Sequence, residues 1–219
     1  MQSSPPSSRL RVTEIFFSLQ GEASRVGLPT VFVRLTGCPL RCTYCDTDYA
    51  FQGGEWLALE AILARVRAFP TRHVTVTGGE PLAQKACLDL LRRLCDAGLD
   101  VSLETSGALD IAAVDERVAR IVDVKTPGSG EAERNHWANI GVLSPRDEIK
   151  FVLTGEADYL WAKDILREQG IERRCPVLFS AAWGQLAPAQ LAAWVLRDGL
   201  PVRLQVQLHK ILWDEARGR

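Results

Sequence analysis

Short apolar stretches rich in β-branched residues alternate along the chain with longer segments in which apolar residues recur every three or four positions. The first pattern predicts buried strands and the second predicts amphipathic helices. Predicted strands cover residues 12–17, 30–35, 73–77, 101–104, 120–125, 148–153, 177–180 and 202–207. Predicted helices cover residues 57–69, 82–97, 157–169 and 188–197. This alternation predicts an α/β fold.

Strands that alternate with helices build a parallel sheet through right-handed crossovers. We expect one domain over residues 10–219, preceded by a flexible tail of residues 1–9. About six parallel strands would curl into an incomplete TIM-like barrel, with ligands bound at the C-terminal strand ends. The distinctive residues fit this expectation, because they follow or end predicted strands: Cys38, Gly78, Glu104, Lys125 and Ser180.

The charge balance argues against binding to polyanions. Lys and Arg number 26, Asp and Glu number 27, and the net charge is -1, so no bulk charge favours nucleic acid or an anionic membrane surface. No run of 18 apolar residues predicts a membrane span, and residues 1–8 do not resemble a signal peptide. We therefore expect a cytoplasmic enzyme that acts on a small molecule.

Three cysteines lie close together in the loop after the second predicted strand. Cys38, Cys42 and Cys45 have the spacing Cys-x3-Cys-x2-Cys. Three thiolates can hold three irons of a 4Fe-4S cluster and leave the fourth iron free to bind a small molecule. A structural zinc site in a non-catalytic binding module is the alternative, although no fourth cysteine or nearby histidine completes one. The other cysteines are predicted to pack as small hydrophobic residues: Cys87, Cys95 and Cys175.

A second motif, Thr77-Gly78-Gly79-Glu80-Pro81, follows a later predicted strand. Together with the cysteine spacing it resembles the radical S-adenosylmethionine (SAM) superfamily, which implies that the open iron binds SAM and that reduction yields a 5′-deoxyadenosyl radical. Gly78 and Gly79 would allow a close backbone approach, and Glu80 would accept from the methionyl ammonium. Tyr44 would pack against adenine, with plain core packing as its alternative.

Further segments are similar to the 7-carboxy-7-deazaguanine synthase family. The resemblance covers residues 13–211 and rests on Leu19-Gln20-Gly21-Glu22, Arg34-Leu35-Thr36-Gly37, Cys45-Asp46-Thr47, Glu104-Thr105-Ser106-Gly107, Asp123-Val124-Lys125-Thr126-Pro127 and Gln207-Leu208-His209-Lys210. It implies that residues 10–219 form a radical SAM catalytic domain. The implied reaction contracts 6-carboxy-5,6,7,8-tetrahydropterin to 7-carboxy-7-deazaguanine with loss of ammonia, a step toward queuosine and related 7-deazapurines.

The resemblance also implies roles for individual residues. The implied substrate-binding residues are Leu19, Gln20, Gly21, Arg34 and Thr77, with Arg34 paired to the substrate carboxylate. The implied cofactor-binding residues, beside those of the glycine turn and Tyr44, are Asp123, Lys125 and Ser180. Thr47 would bind a Mg²⁺ ion that touches the substrate carboxylate. One of Glu22, Glu104 and His209 would handle the proton that precedes ammonia loss, and the sequence does not choose among them.

Some expectations concern partners and departures from the family. We expect an electron donor such as flavodoxin or ferredoxin and a homodimer, as the resemblance implies. Residues 179–183 depart from the Gln-Pro form common in relatives, and residues 212–219 add a charged tail where some relatives end in a short apolar stretch. A glycyl-radical-enzyme activase, which acts on a protein, shares the cysteine spacing and the glycine turn and is the second candidate.

Overall fold

Parallel strand pairing dominates the structure, a computed structural model in which residues 9–214 and 216–218 are described. The strands of the described chain are β1 (Arg9–Leu19), β2 (Pro29–Leu35), β3 (Glu55–Ala58), β4 (His73–Gly78), β5 (Asp100–Thr105), β6 (Ala119–Val124), β7 (Glu148–Leu153), β8 (Val177–Ala181) and β9 (Arg203–Gln205). The α-helices of the same residues are α1 (Leu59–Arg67), α2 (Cys87–Asp96), α3 (Glu156–Gln169), α4 (Pro188–Asp198) and α5 (Leu208–Trp213).

All of these strands belong to one sheet, in the order β3-β1-β2-β4-β5-β6-β7-β8-β9. The pairs from β2 through β9 are parallel, whereas β1 pairs antiparallel with β2 and with β3. Within the described residues the two edge strands, β3 and β9, do not pair with each other, so the sheet stays open. The predicted α/β fold with an incomplete barrel is confirmed.

The two sides of the sheet differ in composition because alternate residues of a strand face opposite ways. On one side, buried apolar residues such as Val33, Val76 and Phe151 pack with helix residues such as Leu91 and Tyr159 in the main core. Burial of each large apolar side chain contributes about 1.5–3 kcal/mol, so this side stabilises the fold. The other side of the same strands carries polar residues, and the candidate site lies there.

The loop after β1 crosses this polar side. Ala23 is buried in a small second cluster with Ile121 of β6 and Leu178 of β8. The Ser24 amide donates to the Glu148 carboxylate of β7 at 3.1 Å. The loop therefore reaches from the β1 side of the sheet to strands near the opposite edge.

Element bounds differ from the predictions where long-range pairing decides the local structure. Residues 57 and 58, predicted as the start of a helix, instead end β3, because residues 55–58 pair with residues 9–12 of β1. The second predicted helix begins at Cys87, after a 3-10 turn at Pro81–Ala83. The crossovers of residues 106–118 and 125–147 contain no α-helix, so strands and helices do not alternate throughout.

Helix ends follow the sequence more directly. Helix α4 has Pro188 in its first turn, where the missing amide hydrogen has no intrahelical acceptor to lose. It ends at Asp198, and the next residue, Gly199, has a φ of 58°, a left-handed conformation that favours glycine. The predicted tail of residues 1–9 lies outside the described residues except for Arg9, which begins β1.

No helix in residues 9–214 and 216–218 is both long enough and apolar enough to cross a membrane.

Candidate active site

A cavity of about 450 Å³ lies on the polar side of the sheet, toward the carboxyl ends of the parallel strands. It brings together most of the residues that the sequence singled out: Leu19, Gln20, Gly21, Glu22, Arg34, Cys38, Cys42, Tyr44, Cys45, Thr47, Thr77, Gly78, Gly79, Glu104, Asp123, Lys125 and His209. Two candidates, Glu80 and Ser180, do not line it. The common location follows from the parallel pairing, which places the ends of successive strands at one edge.

The three clustered cysteines are free thiols and are half-buried in the cavity wall. Two hydrogen bonds within the loop stabilise its conformation. The Cys45 amide donates to the Cys42 carbonyl at 3.2 Å, and the Leu40 amide donates to Cys38 Sγ at 3.4 Å. Burial raises the pKa of all three thiols, so binding of a metal cluster would release their protons.

The glycine turn packs directly against the cysteine loop. The Gly79 amide donates to the Leu35 carbonyl at 3.2 Å, and the Glu80 amide donates to the Gly37 carbonyl at 2.8 Å. A side-chain carbon at Gly79 would lie 2.8 Å from Cys38 Cβ, closer than carbon atoms can pack. Glycine is therefore needed at position 79 for the turn after β4 to pack against Cys38.

Glu80 is fully buried and bonded within the protein. Its carboxylate accepts from the Leu82 amide at 2.9 Å, from Thr105 Oγ1 at 2.9 Å, and from the Ser106 amide at 2.7 Å. These bonds fix the turn to the end of β5. Its predicted contact with a cofactor ammonium stays a prediction, as does the role of Ser180, which is buried in β8.

A group of hydrogen-bonded polar side chains also lines the cavity. Glu104 accepts from Thr77 Oγ1 at 2.9 Å and from Gln20 Nε2 at 3.3 Å. Arg34, which also lines the cavity, donates through Nε to Glu14 at 2.7 Å. An arginine at a cavity wall can donate paired hydrogen bonds to a planar carboxylate.

A buried lysine that the sequence analysis missed also lines the cavity. Lys150 of β7 donates through Nζ to Glu22 at 2.7 Å and lies 3.6 Å from Asp123 Oδ2, which in turn accepts from Lys125 Nζ at 3.0 Å. The signal was present, because Glu148 and Lys150 place two charges at alternate positions in a strand predicted to be buried.

Charges around Lys150 control the protonation of its neighbours. Burial opposes ionisation of Glu22, but the Lys150 charge and hydrogen bonds from Lys150 and Gln207 prevail and hold the Glu22 pKa below its usual range. Burial raises the pKa of Glu104, with only partial compensation by Lys150. Burial also disfavours charged Lys150, yet Glu22, Asp123 and Glu104 hold its pKa well above the usual value. The site therefore combines a fixed ion pair with a carboxyl group that can retain a proton.

The segment after β9 closes the cavity from the far edge. The Leu208 amide donates to the Gly21 carbonyl at 3.0 Å, and a side-chain carbon at Gly21 would lie 3.0 Å from His209 Cγ. Asp46, beside Thr47 in the cysteine loop, accepts from Gln207 Nε2 at 3.3 Å. His209 is thus placed against the predicted substrate-binding loop.

The donors present fit a 4Fe-4S cluster and SAM. Three thiols with no disulfide partner supply the ligand chemistry of an iron-sulfur cluster. Two buried cavity-lining atoms, Asp123 Oδ1 and the Tyr44 hydroxyl, have no hydrogen-bond partner among the described residues. Buried polar groups are normally paired, so an acceptor and a hydroxyl without partners indicate a polar ligand such as a ribose.

Comparisons with known proteins identify the family of this chain. Residues 32–179 match the radical SAM superfamily. A curated 7-carboxy-7-deazaguanine synthase from Chlorobaculum tepidum is 49% identical to this chain, over 95% of the chain and 97% of the relative. One of the same name from Koribacter versatilis is 43% identical, over 95% of the chain and 100% of the relative.

Solved structures show the same fold. QueE from Escherichia coli is similar with a TM-score of 0.72 and 24% identity, over 92% of this chain and 95% of that chain. Streptococcus suis SuiB, solved bound to S-adenosylmethionine, is similar with a TM-score of 0.54 and 12% identity, over 78% of this chain and 45% of that chain. From the superfamily match and the sequence identity to the curated relatives, the chain belongs to the 7-carboxy-7-deazaguanine synthase family of radical SAM enzymes.

Proposed function

We propose that this chain converts 6-carboxy-5,6,7,8-tetrahydropterin to 7-carboxy-7-deazaguanine with release of ammonia, in 7-deazapurine biosynthesis. One observation carries the proposal: a single cavity is lined both by three free thiols and by the polar side chains of Arg34, Gln20 and Glu104. The names of the two curated relatives support the same product.

Cys38, Cys42 and Cys45 would hold the cluster, and Tyr44, Asp123 and Lys125 would contact SAM. When bound, the reduced cluster and SAM supply a carbon radical that can remove a hydrogen atom from the pterin. The protein's part is to hold the reacting carbon near that radical and to exclude water.

Binding of the pterin would use the polar side chains that line the cavity. Arg34 keeps guanidinium donors beyond its Nε bond to Glu14, and these would pair with the substrate carboxylate. Gln20 and Thr77 both bond to Glu104, so their positions are set before the substrate enters. Preorganised groups lower the cost of ordering a ligand.

Proton transfer before ammonia loss would fall to Glu104. Burial raises the pKa of Glu104 and so favours its protonated form, whereas Lys150 lowers the pKa of Glu22 and favours its ionised form. Two acidic groups with opposite pKa shifts in one cavity are a common basis for acid-base assignments. His209 lies close enough to Gly21 to serve as a binding group for the same substrate.

A Mg²⁺ ion beside Thr47 would orient the substrate carboxylate. Thr47 lines the cavity and its hydroxyl donates to Asp46 at 2.8 Å, so two hard oxygen ligands are adjacent. Mg²⁺ commonly takes one or two protein oxygens and completes its shell with substrate and water. The flavodoxin or ferredoxin donor, the homodimer and the cytoplasmic location remain predictions.

Anaerobic turnover tests the proposal directly. The reconstituted, reduced enzyme is expected to convert the pterin to 7-carboxy-7-deazaguanine, with deuterium at C6 of the substrate appearing in recovered SAM. Product and label are read by mass spectrometry, with Cys42→Ala as the inactive control and Cys95→Ser as its active counterpart. The proposal is overturned by an iron-loaded enzyme that cleaves SAM and leaves the pterin unchanged, and label transfer to a glycine of a protein partner would favour an activase.

A further inference from the structure

Lys150 is a buried residue whose ion pair connects two parts of the chain. Its side chain is 13% exposed, and the Glu22 side chain with which it pairs is 14% exposed. The two residues lie on β7 and on the loop after β1, so their 2.7 Å contact joins two distant parts of the chain. Removal of either residue would leave the other as a buried charge without a partner, which destabilises the protein.

Glu22 in turn accepts hydrogen bonds from the C-terminal segment, which we define as residues 205–209. Gln207 Nε2 donates to Glu22 Oε1 at 2.9 Å, and Gln205 Nε2 donates to Glu22 Oε2 at 3.2 Å. Both bonds are strengthened by the negative charge of the acceptor. Two further bonds link the segment to this loop among the described residues: the Leu208 amide donates to the Gly21 carbonyl at 3.0 Å, and the Ala23 amide donates to Gln205 Oε1 at 2.6 Å.

The C-terminal segment matters because it carries His209 into the cavity. Without the lysine, Glu22 would take up a proton or turn toward water, and either change weakens its bonds to the two glutamines. Asp46, Asp123 and Glu104 are the other acidic groups around this ion pair. Of these, Asp46 also accepts from Gln207 Nε2, at the longer distance of 3.3 Å.

We propose that Lys150 is a positioning residue: by fixing Glu22 between β7 and the two glutamines, it holds the C-terminal segment and His209 over the substrate cavity. This inference rests on the proposed function, because the cavity is taken to bind the pterin. Lys150 itself needs no contact with substrate to act in this way.

Hydrogen exchange of the protein without cluster gives a readout independent of turnover. In Lys150→Met, exchange of backbone amides in residues 206–213 is expected to rise about tenfold or more, while strands β4 and β5 keep wild-type protection. Lys163→Met is the matched control, because Lys163 pairs with Asp198 at 2.7 Å between helices α3 and α4. Lys150→Arg is expected to restore much of the protection by keeping the charge.

Kinetics of the reconstituted enzyme supply the second readout. Lys150→Met is expected to raise KM for the pterin about tenfold or more with SAM cleavage retained, and Glu22→Gln is expected to act in the same way. The double variant should be no worse than either single one, because both remove the same link. If Lys150→Met does not fold, Glu22→Gln carries the test alone.

Unchanged exchange of residues 206–213 in both Lys150→Met and Glu22→Gln would overturn the inference, as would additive effects in the double variant. A wild-type enzyme that never turns over the pterin would instead overturn the proposed function, and the exchange result would still stand for the role of Lys150.

Discussion

Replacement of Gly79 by alanine would force the glycine turn away from the cysteine loop. The new methyl group would lie 2.6 Å from the Gly37 carbonyl carbon and 2.8 Å from Cys38 Cβ, and closer still to the Gly37 oxygen. Two of these neighbours are backbone atoms, so no rotation of a side chain relieves the overlap. Bonds from the Gly79 and Glu80 amides to β2 and Gly37 hold the two segments together.

The size of the effect follows from these distances. Non-bonded carbons pack at about 3.5 Å or more, so the cysteine loop must move by about 0.7–0.9 Å. Overpacking of this kind costs up to about 3 kcal/mol, which corresponds to a Tm lower by about 6–12 °C for a chain of this size. The first cluster ligand would move by the same distance, and we expect most of the iron to be lost.

Iron and sulfide content after anaerobic reconstitution, together with the Tm of the protein before reconstitution, check this prediction. Gly141→Ala is the matched control, because a side chain there meets no atom within 4 Å and is expected to leave both quantities unchanged. Full iron loading and an unchanged Tm in Gly79→Ala would refute the steric argument, since the overlap would then have been absorbed without displacing Cys38.

Three other substitutions test separate parts of the molecule. Cys42→Ala is expected to abolish iron binding while Cys95→Ser retains it, as measured by iron analysis; the reverse would assign the cluster to other thiols. Arg34→Lys is expected to raise KM for the pterin about 10- to 100-fold while SAM cleavage persists, because lysine lacks the guanidinium fork; an unchanged KM would give Arg34 a structural role. Arg120→Met is expected to lower the free energy of unfolding at pH 7 by about 3–5 kcal/mol, because it leaves the fully buried Asp147 carboxylate without its partner. Burial opposes ionisation of Asp147, yet the Arg120 hydrogen bonds hold its pKa below the usual range, so the wild-type advantage should vanish as pH falls through that pKa; equal urea midpoints at pH 7 would contradict this.

The edge at which the site forms could be predicted because strand direction alone determines it. Thr77, Glu104 and Asp123 belong to successive parallel strands, and residues near the ends of such strands converge whatever their identity. The structure brings Thr77 and Glu104 within hydrogen-bond distance. The three cysteines line the same cavity because their loop follows β2, the neighbour of β4 in the sheet.

Contacts between distant segments could not be predicted in this way. Lys150 lies 128 residues from Glu22, and no local pattern links a lysine in one strand to a carboxylate in another loop. The alternation of Glu148 and Lys150 indicates a polar side of the strand, but it does not identify the partner. For Glu80 the motif indicated a contact with a ligand, which stays a prediction. It did not indicate that the carboxylate accepts hydrogen bonds from Thr105 and Ser106 of the protein.

Strand β3 was missed for a related reason. Leu57 and Leu59 fit a helical repeat and a strand equally well, so local periodicity did not separate the two structures. Pairing with residues 9–12 across more than forty positions decides in favour of the strand. Tertiary contacts commonly override local preference in this way.

Closure of the cavity by a segment from far along the chain has a consequence for biosynthesis. The cysteine loop ends at Cys45, whereas the first glutamines that bond to Glu22 are Gln205 and Gln207. At about 5–20 residues per second, a ribosome needs about 8–32 s to synthesise the 162 residues from Cys45 to Gln207. Throughout that interval residues 205–209 are absent from the cavity, so they cannot keep an iron-sulfur donor from the nascent thiols.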